Sequence, residues 1–454
     1  MGALDEGHFN LELENDGKNG SMEVAFEHQP ETLSIQEAVR VLLQGLGEDI
    51  NREGIKKTPF RVAKALREGT RGYKLKVKDF VQSALFPEAG LDEGVGQAGG
   101  VGGLVVVRDL DHYSYCESCL LPFQVRCHVG YVPSGQRVLG LSKFSRVADV
   151  FAKRLQDPQH LADDICSALQ QWVKPSGVAV VLQCSHIHFP SLEMNFLASS
   201  HHGFVKLLVS SGSGAFEDER SDLWGEFLSL LRFKGVKTHN LCRNGSVKEW
   251  CPSVKSSSKF SPADPEMVSA VNSILKSLGE DPSRKELVGT PTRFLKWMMN
   301  FQNANLEMKL GGFGYDKTDT KSNGEIEETL HCERNLPFWS MCEHHLLPFY
   351  GVVHIGYFCS DGYNPMGKSL VQSVVHFFGF KLQVQERMTR QIAETLSPLV
   401  GGDIIVVAEA GHTCMISRGI EKFGSSTATI AVLGRFSTDI SARTKFLDSI
   451  QNSS

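Results

Sequence analysis

Cys342 and His345 stand three residues apart in CEHH, so a thiolate and an imidazole on one turn can face a single cation. Taken alone, the pair also fits a buried cysteine beside an ordinary histidine. A third soft donor, Cys414 in GHTCMISRG, follows about seventy residues later, just beyond a β-branched segment at 403–408. Three ligands of the Cys2His kind leave a fourth tetrahedral corner for water, the arrangement of a catalytic zinc; a structural zinc is normally closed by a fourth protein ligand. His344 and His412 flank these positions, and imidazoles there can pass protons near neutral pH.

These residues lie in the second of two long, imperfect copies of one unit. LGEDINREGIKKTPFRVAKAL from Leu46 returns as LGEDPSRKELVGTPTRFLKWM from Leu278, and YCESCLLPFQVRCHVGY from Tyr115 returns as MCEHHLLPFYGVVHIGY from Met341. A spacing above 200 residues means duplicated domains, not a solenoid. Each copy opens on a helical pattern. Ser34 and Glu37 fit a capping box before Val39, Leu42, Leu43 and Leu46, while Asp264-Pro265 precedes Val268, Val271, Leu275 and Leu278. The short β-branched runs 351–358, 403–408 and 427–433 predict strands, and 369–399 carries mainly helical spacing. The expected division is a flexible acidic tail at 1–33, a first α+β domain at 34–238, a polar, Ser-rich linker at 239–262 and a second α+β domain at 263–454.

CEHHLLPF, QVQERMTRQIA and HTCMISRG resemble the signature segments of GTP cyclohydrolase I, and the likeness extends over nearly all of both repeats. The double-length arrangement is similar to the two-domain form found in plants. The resemblance implies a tunnelling fold, in which an antiparallel sheet with helices on one face, preceded by a helical segment, assembles into ring-shaped homo-oligomers. It implies zinc-dependent hydrolytic opening of the guanine imidazole ring of GTP, loss of formate and reclosure to 7,8-dihydroneopterin triphosphate, the entry to folate pterins. It implies Cys342, His345 and Cys414 as zinc ligands and His344 and His412 as proton-transfer groups, with the retained hydroxyl of Ser369 beside them. Glu386 matches the anchor of the guanine or pterin ring, a task that suits a carboxylate facing paired N–H donors, with Gln385 assisting. Arg418 matches a triphosphate ligand, and Arg61, Lys64, Arg293 and Lys296 match further phosphate contacts.

Neither copy keeps the whole pattern. GLSKFSR in the first retains Ser142, Lys143 and Arg146 for the triphosphate, whereas the second reads GKSLVQS, with Leu370 and Ser373 where the cations stood. Conversely, the first copy has CESC for CEHH, Gln159 for the ring-anchoring glutamate, HIHF for HTCM and Leu192 for the arginine. A pocket composed from both copies at a domain or subunit interface reconciles the two losses. Cys116, Cys119 and His188 occupy the ligand positions of the first copy; since Ser118 and Gln159 remove the chemistry a metal would serve, that copy is expected to be metal-free.

Composition agrees with an enzyme and disfavours other classes. Lys+Arg 47 against Asp+Glu 52 gives a net charge of −5, with no basic field for nucleic acid. No apolar run approaches a membrane span, and 11 cysteines without a secretory leader favour reduced thiols or metal ligands in the cytoplasm. Two rival readings exist. GYNPMGKS, 362–369, satisfies the P-loop pattern and would make the chain a GTP-hydrolysing protein; the losses in both copies would also suit a scaffold that binds GTP or pterin without turnover.

Overall fold

The computed structural model describes residues 26–81, 84–87, 103–134, 137–187, 204–242, 250–251, 264–302, 329–358, 366–418 and 425–451. Each copy is built on a curled sheet. In the first, β2 (Val105–Cys116), β3 (Pro122–Val132), β6 (Gly177–Ile187) and β7 (Phe204–Gly214) run antiparallel; two-residue β5 (Leu155–Gln156) and β8 (Leu241–Cys242) add parallel at the edges, in the order β5-β2-β3-β6-β7-β8. A separate pair joins β1 (Leu85–Pro87) to β4 (Arg137–Leu139). The second copy repeats the plan as β11-β9-β10-β12-β13, with β9 (Leu330–Cys342), β10 (Leu347–Phe358), β12 (Ile404–His412) and β13 (Thr427–Leu433) antiparallel and β11 (Leu382–Gln383) parallel to β9. The sheets are therefore mixed, the short parallel strands being the exception to the expected antiparallel order.

Strand alternation divides the core. Ile404, Val406, Ala408 and Ala410 face one side, where α9 (Lys368–Gly379) and α10 (Gln385–Leu396) pack; Ile405 and Val407 face the other, against Phe436 and Phe446 at the chain's end. In the first copy α4 (Ser142–Ala152) and α5 (Pro158–Val173) cover the first side, and α6 (Asp222–Arg232) covers the second through Trp224 and Phe227. Helices thus reach both faces, a pair on one and the helical C-terminal part of each copy on the other. The helical spacing expected over 369–399 is broken at Phe380, where the chain leaves α9 and runs extended beside β9 as β11 before α10 begins.

The two helical arms are exchanged. α1 (Pro30–Gly45), α2 (Thr58–Gly69) and the single turn α3 (Lys78–Val81) precede the first sheet, α7 (Pro265–Leu278) and α8 (Thr290–Met298) the second, and α1 packs along α7 in a core holding Val39, Leu43, Val271 and Leu275. From there α2 reaches the β9–β10 turn of the second copy, where Thr58 Oγ1 donates to the Glu343 carbonyl at 2.6 Å and Arg52 pairs with the Glu343 carboxylate at 2.8 Å. Reciprocally, Thr290 Oγ1 donates to the Glu117 carbonyl at 2.5 Å and Arg284 pairs with Glu117 at 3.2 Å.

Two sequence-based boundaries shift. α1 begins at Pro30, inside the expected tail, because proline fixes the first helical turn. The Ser34–Glu37 capping box does not form: Ser34 accepts from Ser277 Oγ, and Glu37 pairs with Arg40. The expected linker carries ordered structure at both described places, β8 against β7 and the buried pair Trp250 and Cys251. His188, residues 1–25 and 362–365 lie outside the described residues.

Thr58→Val keeps the shape and removes the hydroxyl, leaving a buried carbonyl short of a partner. We expect a loss of about 1–3 kcal/mol, read as a thermal midpoint lowered by roughly 2–4 °C per kcal/mol; an unchanged midpoint would mean the arm is not held by this bond.

Candidate functional site

The site grows from one tight turn. β9 ends at Cys342, β10 starts at Leu347, and Leu346 closes the turn at φ 51°, a left-handed conformation unusual for leucine and repeated at Leu120 in the first copy. That geometry sets Cys342 and His345 on one side. β12 pairs with β10 so that His412 lies opposite Phe349, and the chain turns at once into the short helix α11 (Thr413–Ser417), which carries Cys414 back over the turn. The ligand atoms of Cys342, His345 and Cys414 all lie within 4.8 Å of one another, with Cys342 Sγ 3.9 Å from His345 Nδ1. Two sulfurs and an imidazole so close, on largely buried residues, are a donor set a soft divalent cation fits. A hydrogen bond from Cys414 drives the Cys342 thiol well below its ordinary pKa, His344 and His345 adding to the effect, and the same contact drives Cys414 upward.

Glu343, 2% exposed, holds the turn from beneath. Burial raises its carboxyl, but Arg387 at 2.7 Å and Arg52 at 2.8 Å outweigh burial and keep it below the usual glutamate range. His344 projects outward, 37% exposed, with Nε2 3.9 Å from Glu343 Oε1.

His412 stacks on Phe349 with centroids 4.7 Å apart and planes 6° from parallel, and its Nε2 lies 2.7 Å from Gln385 Oε1. The Gln385 amide nitrogen donates to the carbonyls of Ala408 and Thr427 at 3.0 and 2.9 Å, so Oε1 can only accept and His412 Nε2 carries the hydrogen. The ring-binding part expected of Gln385 is therefore not open to it: the side chain is buried and committed to His412. Glu386, the next residue, is exposed and opens onto a groove between α10 and β13 that includes Arg387, Arg390 and Thr429. Arg418 is exposed, its Nη1 3.2 Å from His345 Nε2.

The cations divide. Arg293 is spent on the first copy, donating from Nε to the Ser118 carbonyl at 2.6 Å, with Lys296 one turn along. Arg61 and Lys64 sit on α2 just past Thr58, so the helix carries them beside the second copy's turn. Ser142, Lys143 and Arg146 lie in the first turns of α4, and Ser369 lies in the first turn of α9. Among the described residues, no hydrogen bond or ion pair joins Lys143 or Arg146 to the Cys342 group within one chain.

Sequence reasoning missed Arg52, Thr58, Glu343 and Arg387. For three of them the signal was recurrence: the glutamate in CES and CEH, the arginine in LGEDINR and LGEDPSR and the threonine in TPFR and TPTR stand in both copies, whereas Arg387 is replaced by His160 and left no such mark. It named Cys116 and Cys119 as possible ligands but missed His186 and Cys251, whose ligand atoms gather with theirs in a second soft group.

A duplicated sheet-and-helix unit with a Cys2His group at its strand ends defines a tandem tunnelling-fold protein with a metal-type centre. The family model for GTP cyclohydrolase I matches residues 35–222 and again 267–451, and the chain belongs to that family. The chain is 81% identical to GTP cyclohydrolase 1 of Arabidopsis thaliana, over 99% of this chain and 97% of the relative. It is 68% identical to GTP cyclohydrolase 1 of Solanum lycopersicum over 100% and 99%. GTP cyclohydrolase 1 of Dictyostelium discoideum, 40% identical, aligns with 45% of this chain and 81% of its own length, about one copy. The chain is accordingly an enzyme of the cyclohydrolase I class, whose substrate is GTP. The P-loop reading loses its support, because β10, the strand before GYNPMGKS, pairs antiparallel on both sides, unlike a P-loop strand. No helix among the described residues is long and apolar enough to cross a membrane.

Gln385→Leu removes the acceptor that orients His412. We expect kcat to fall roughly 10- to 100-fold with KM for GTP and bound metal little changed; a variant altered only in KM would return Gln385 to substrate binding.

Proposed function

We propose that the cyclohydrolase reaction takes place in a composite pocket, the second copy supplying metal ligands, proton transfer and ring recognition and the first supplying cations for the triphosphate. The observation that carries this reading is the reach of the first copy's arm onto the turn bearing Cys342 and His345, through Thr58 and Arg52. Zinc suits the donor set of Cys342, His345 and Cys414, and when bound would act as a Lewis acid that brings the pKa of water toward neutrality.

The chain's own groups divide the remaining work. His412, with its hydrogen fixed on Nε2 by Gln385, takes up and returns a proton at Nδ1 during ring opening. His344, projecting from the same turn, serves the other proton transfer. Glu386 accepts the N–H pair of the guanine edge from its exposed place at the start of α10. Ser369 offers a hydroxyl near the same end of α9. Arg418 contacts His345 Nε2 only while that nitrogen holds a lone pair; an imidazole coordinating through Nδ1 carries its hydrogen on Nε2, which frees the guanidinium for phosphate. Arg61 and Lys64 approach with α2, and Ser142, Lys143 and Arg146 come from a neighbouring chain. Arg293 supports the first copy's turn instead, and Lys296 lies one turn further along the same helix.

A homo-oligomer follows from the same picture. β13 is the last strand of its sheet, Ile430 on it is 53% exposed, and the groove onto which Glu386 opens runs beside it. An edge of this kind asks for cover, and a second chain supplies both cover and cations. The described free thiols fit a reducing compartment such as the cytoplasm.

The test uses two inactive variants. Lys143→Ala/Arg146→Ala should lower kcat/KM for GTP by roughly 100- to 10,000-fold, two charge-assisted hydrogen bonds at about 1.5–3 kcal/mol each, without loss of metal. Cys414→Ser should release no formate. Mixed and reassembled, the two should regain formate release, because some pockets then combine intact halves. Full activity of the double cation variant alone would sink the composite pocket.

A further inference from the structure

The first copy has lost the residues that would make a metal catalytic, yet it gathers more soft donors than the second. Cys116, Cys119, His186 and Cys251 place one ligand atom each within 4.8 Å of all the others. Cys119 Sγ lies 3.3 Å and Cys251 Sγ 4.0 Å from His186 Nε2. Tetrahedral zinc, with bonds of about 2.3 Å to sulfur and 2.0–2.1 Å to nitrogen, requires ligand atoms roughly 3.5–3.8 Å apart. The observed spacings bracket that value. All four residues are buried, at 0–1% exposure, and the three cysteines are free thiols.

The imidazole is prepared for such a role. His186 Nδ1 lies 2.6 Å from the Ile187 carbonyl, which can only accept, so Nδ1 carries the hydrogen and Nε2 presents its lone pair to the sulfurs. Trp250 packs edge-on against His186 and Phe123, with centroids 4.9 and 4.8 Å away, and closes the cluster on the side from which Cys251 arrives.

Strand register shows how the set differs from the second copy. His186 pairs with Phe123 as His412 pairs with Phe349. The first copy's ligand is thus the counterpart of the proton-transfer histidine, and the corner left open in the Cys2His group is filled here by a cysteine from the segment between the copies. We propose that Cys116, Cys119, His186 and Cys251 hold a second zinc ion in a closed, structural Cys3His site that fastens the interdomain segment to the first copy. The same turn is gripped by the second copy's arm, where Trp297 Nε1 donates to the Cys119 carbonyl at 3.0 Å and Arg293 to that of Ser118. The ion therefore ties three parts of the chain at one point.

Metal analysis of the purified full chain tests this. Two zinc ions per chain are expected, one in Cys414→Ser, one in Cys251→Ser and none in the double variant. Cobalt substitution should give thiolate-to-cobalt absorption at both sites, stronger at the first copy's, which has three sulfurs against two. Should Cys251→Ser fold poorly, Cys251→His, which keeps four donors, is expected to restore both folding and the second ion. One ion per chain in the unmodified protein, two in Cys251→Ser, or a disulfide among these cysteines under reducing purification would overturn the proposal. None of these readouts depends on turnover of GTP.

Discussion

The carboxylate of Glu343 is the constraint on which the rest of the structure turns. An ionised group at 2% exposure is tolerable only when its charge is met by closely placed partners. Two guanidiniums do so, Arg387 from the start of α10 and Arg52 from the other copy. The turn they stabilise carries Cys342, His344 and His345 and includes a leucine at positive φ, a conformation that the surroundings must impose. Removing the first copy's arm would strand one lone pair of the carboxylate and the carbonyl that Thr58 satisfies. The geometry of the metal turn is thus partly a property of the first copy, although none of its ligands comes from there.

The pseudo-symmetric partner of this arrangement has drifted in an informative way. Glu117 meets Arg284, but the counterpart of Arg387 is His160, whose Nδ1 lies 3.9 Å away on an exposed ring. Burial then prevails, and the Glu117 carboxyl is raised despite Arg284 and His160. The signs of the two linkages are opposite. Glu343, depressed, stabilises the fold above the ordinary glutamate range and loses that contribution as pH falls. Glu117, raised, favours the fold in its protonated form and loses that contribution as pH rises through its shifted value. The second copy's turn is held by two guanidiniums at neutral pH; the first copy's turn, which bears soft donors too, has one guanidinium and a more distant imidazole.

Much of this was legible in the sequence because duplication supplies an internal comparison. The CEHH and HTCM segments, the strand runs and the complementary losses at GLSK and CESC could be read without coordinates, and the fold class and family stand as read. What could not be read was long-range partnership. Arg52 and Glu343 are 291 residues apart, and nothing in local periodicity states that an arm crosses to the other copy. Gln385 looked like a ring contact because it adjoins Glu386, but adjacent helical positions point about 100° apart, so one is buried under β12 while the other meets solvent. His188 aligns with Cys414 and lies outside the described residues, whereas His186, two residues earlier, places its ring among the thiols of Cys116, Cys119 and Cys251. Cys251 sat in a segment whose polar composition hid a buried pair.

The exchanged arms also bear on how the division of labour should be probed. Cutting the chain between the copies would expose Val39, Leu43, Val271 and Leu275 along the α1–α7 seam and would remove Arg52 from Glu343 at the same stroke. An apolar stripe of that kind, once bared, drives non-native association. An inactive half would then report lost packing as readily as lost chemistry. Substitutions on the first turns of α4, remote in contacts from the seam, separate the two, since they alter charge at the surface while leaving the arm, the turn and both groups of soft donors in place. The physical reason is additivity: sites that share no partner contribute independently, whereas everything attached to the Glu343 turn is coupled through one buried charge.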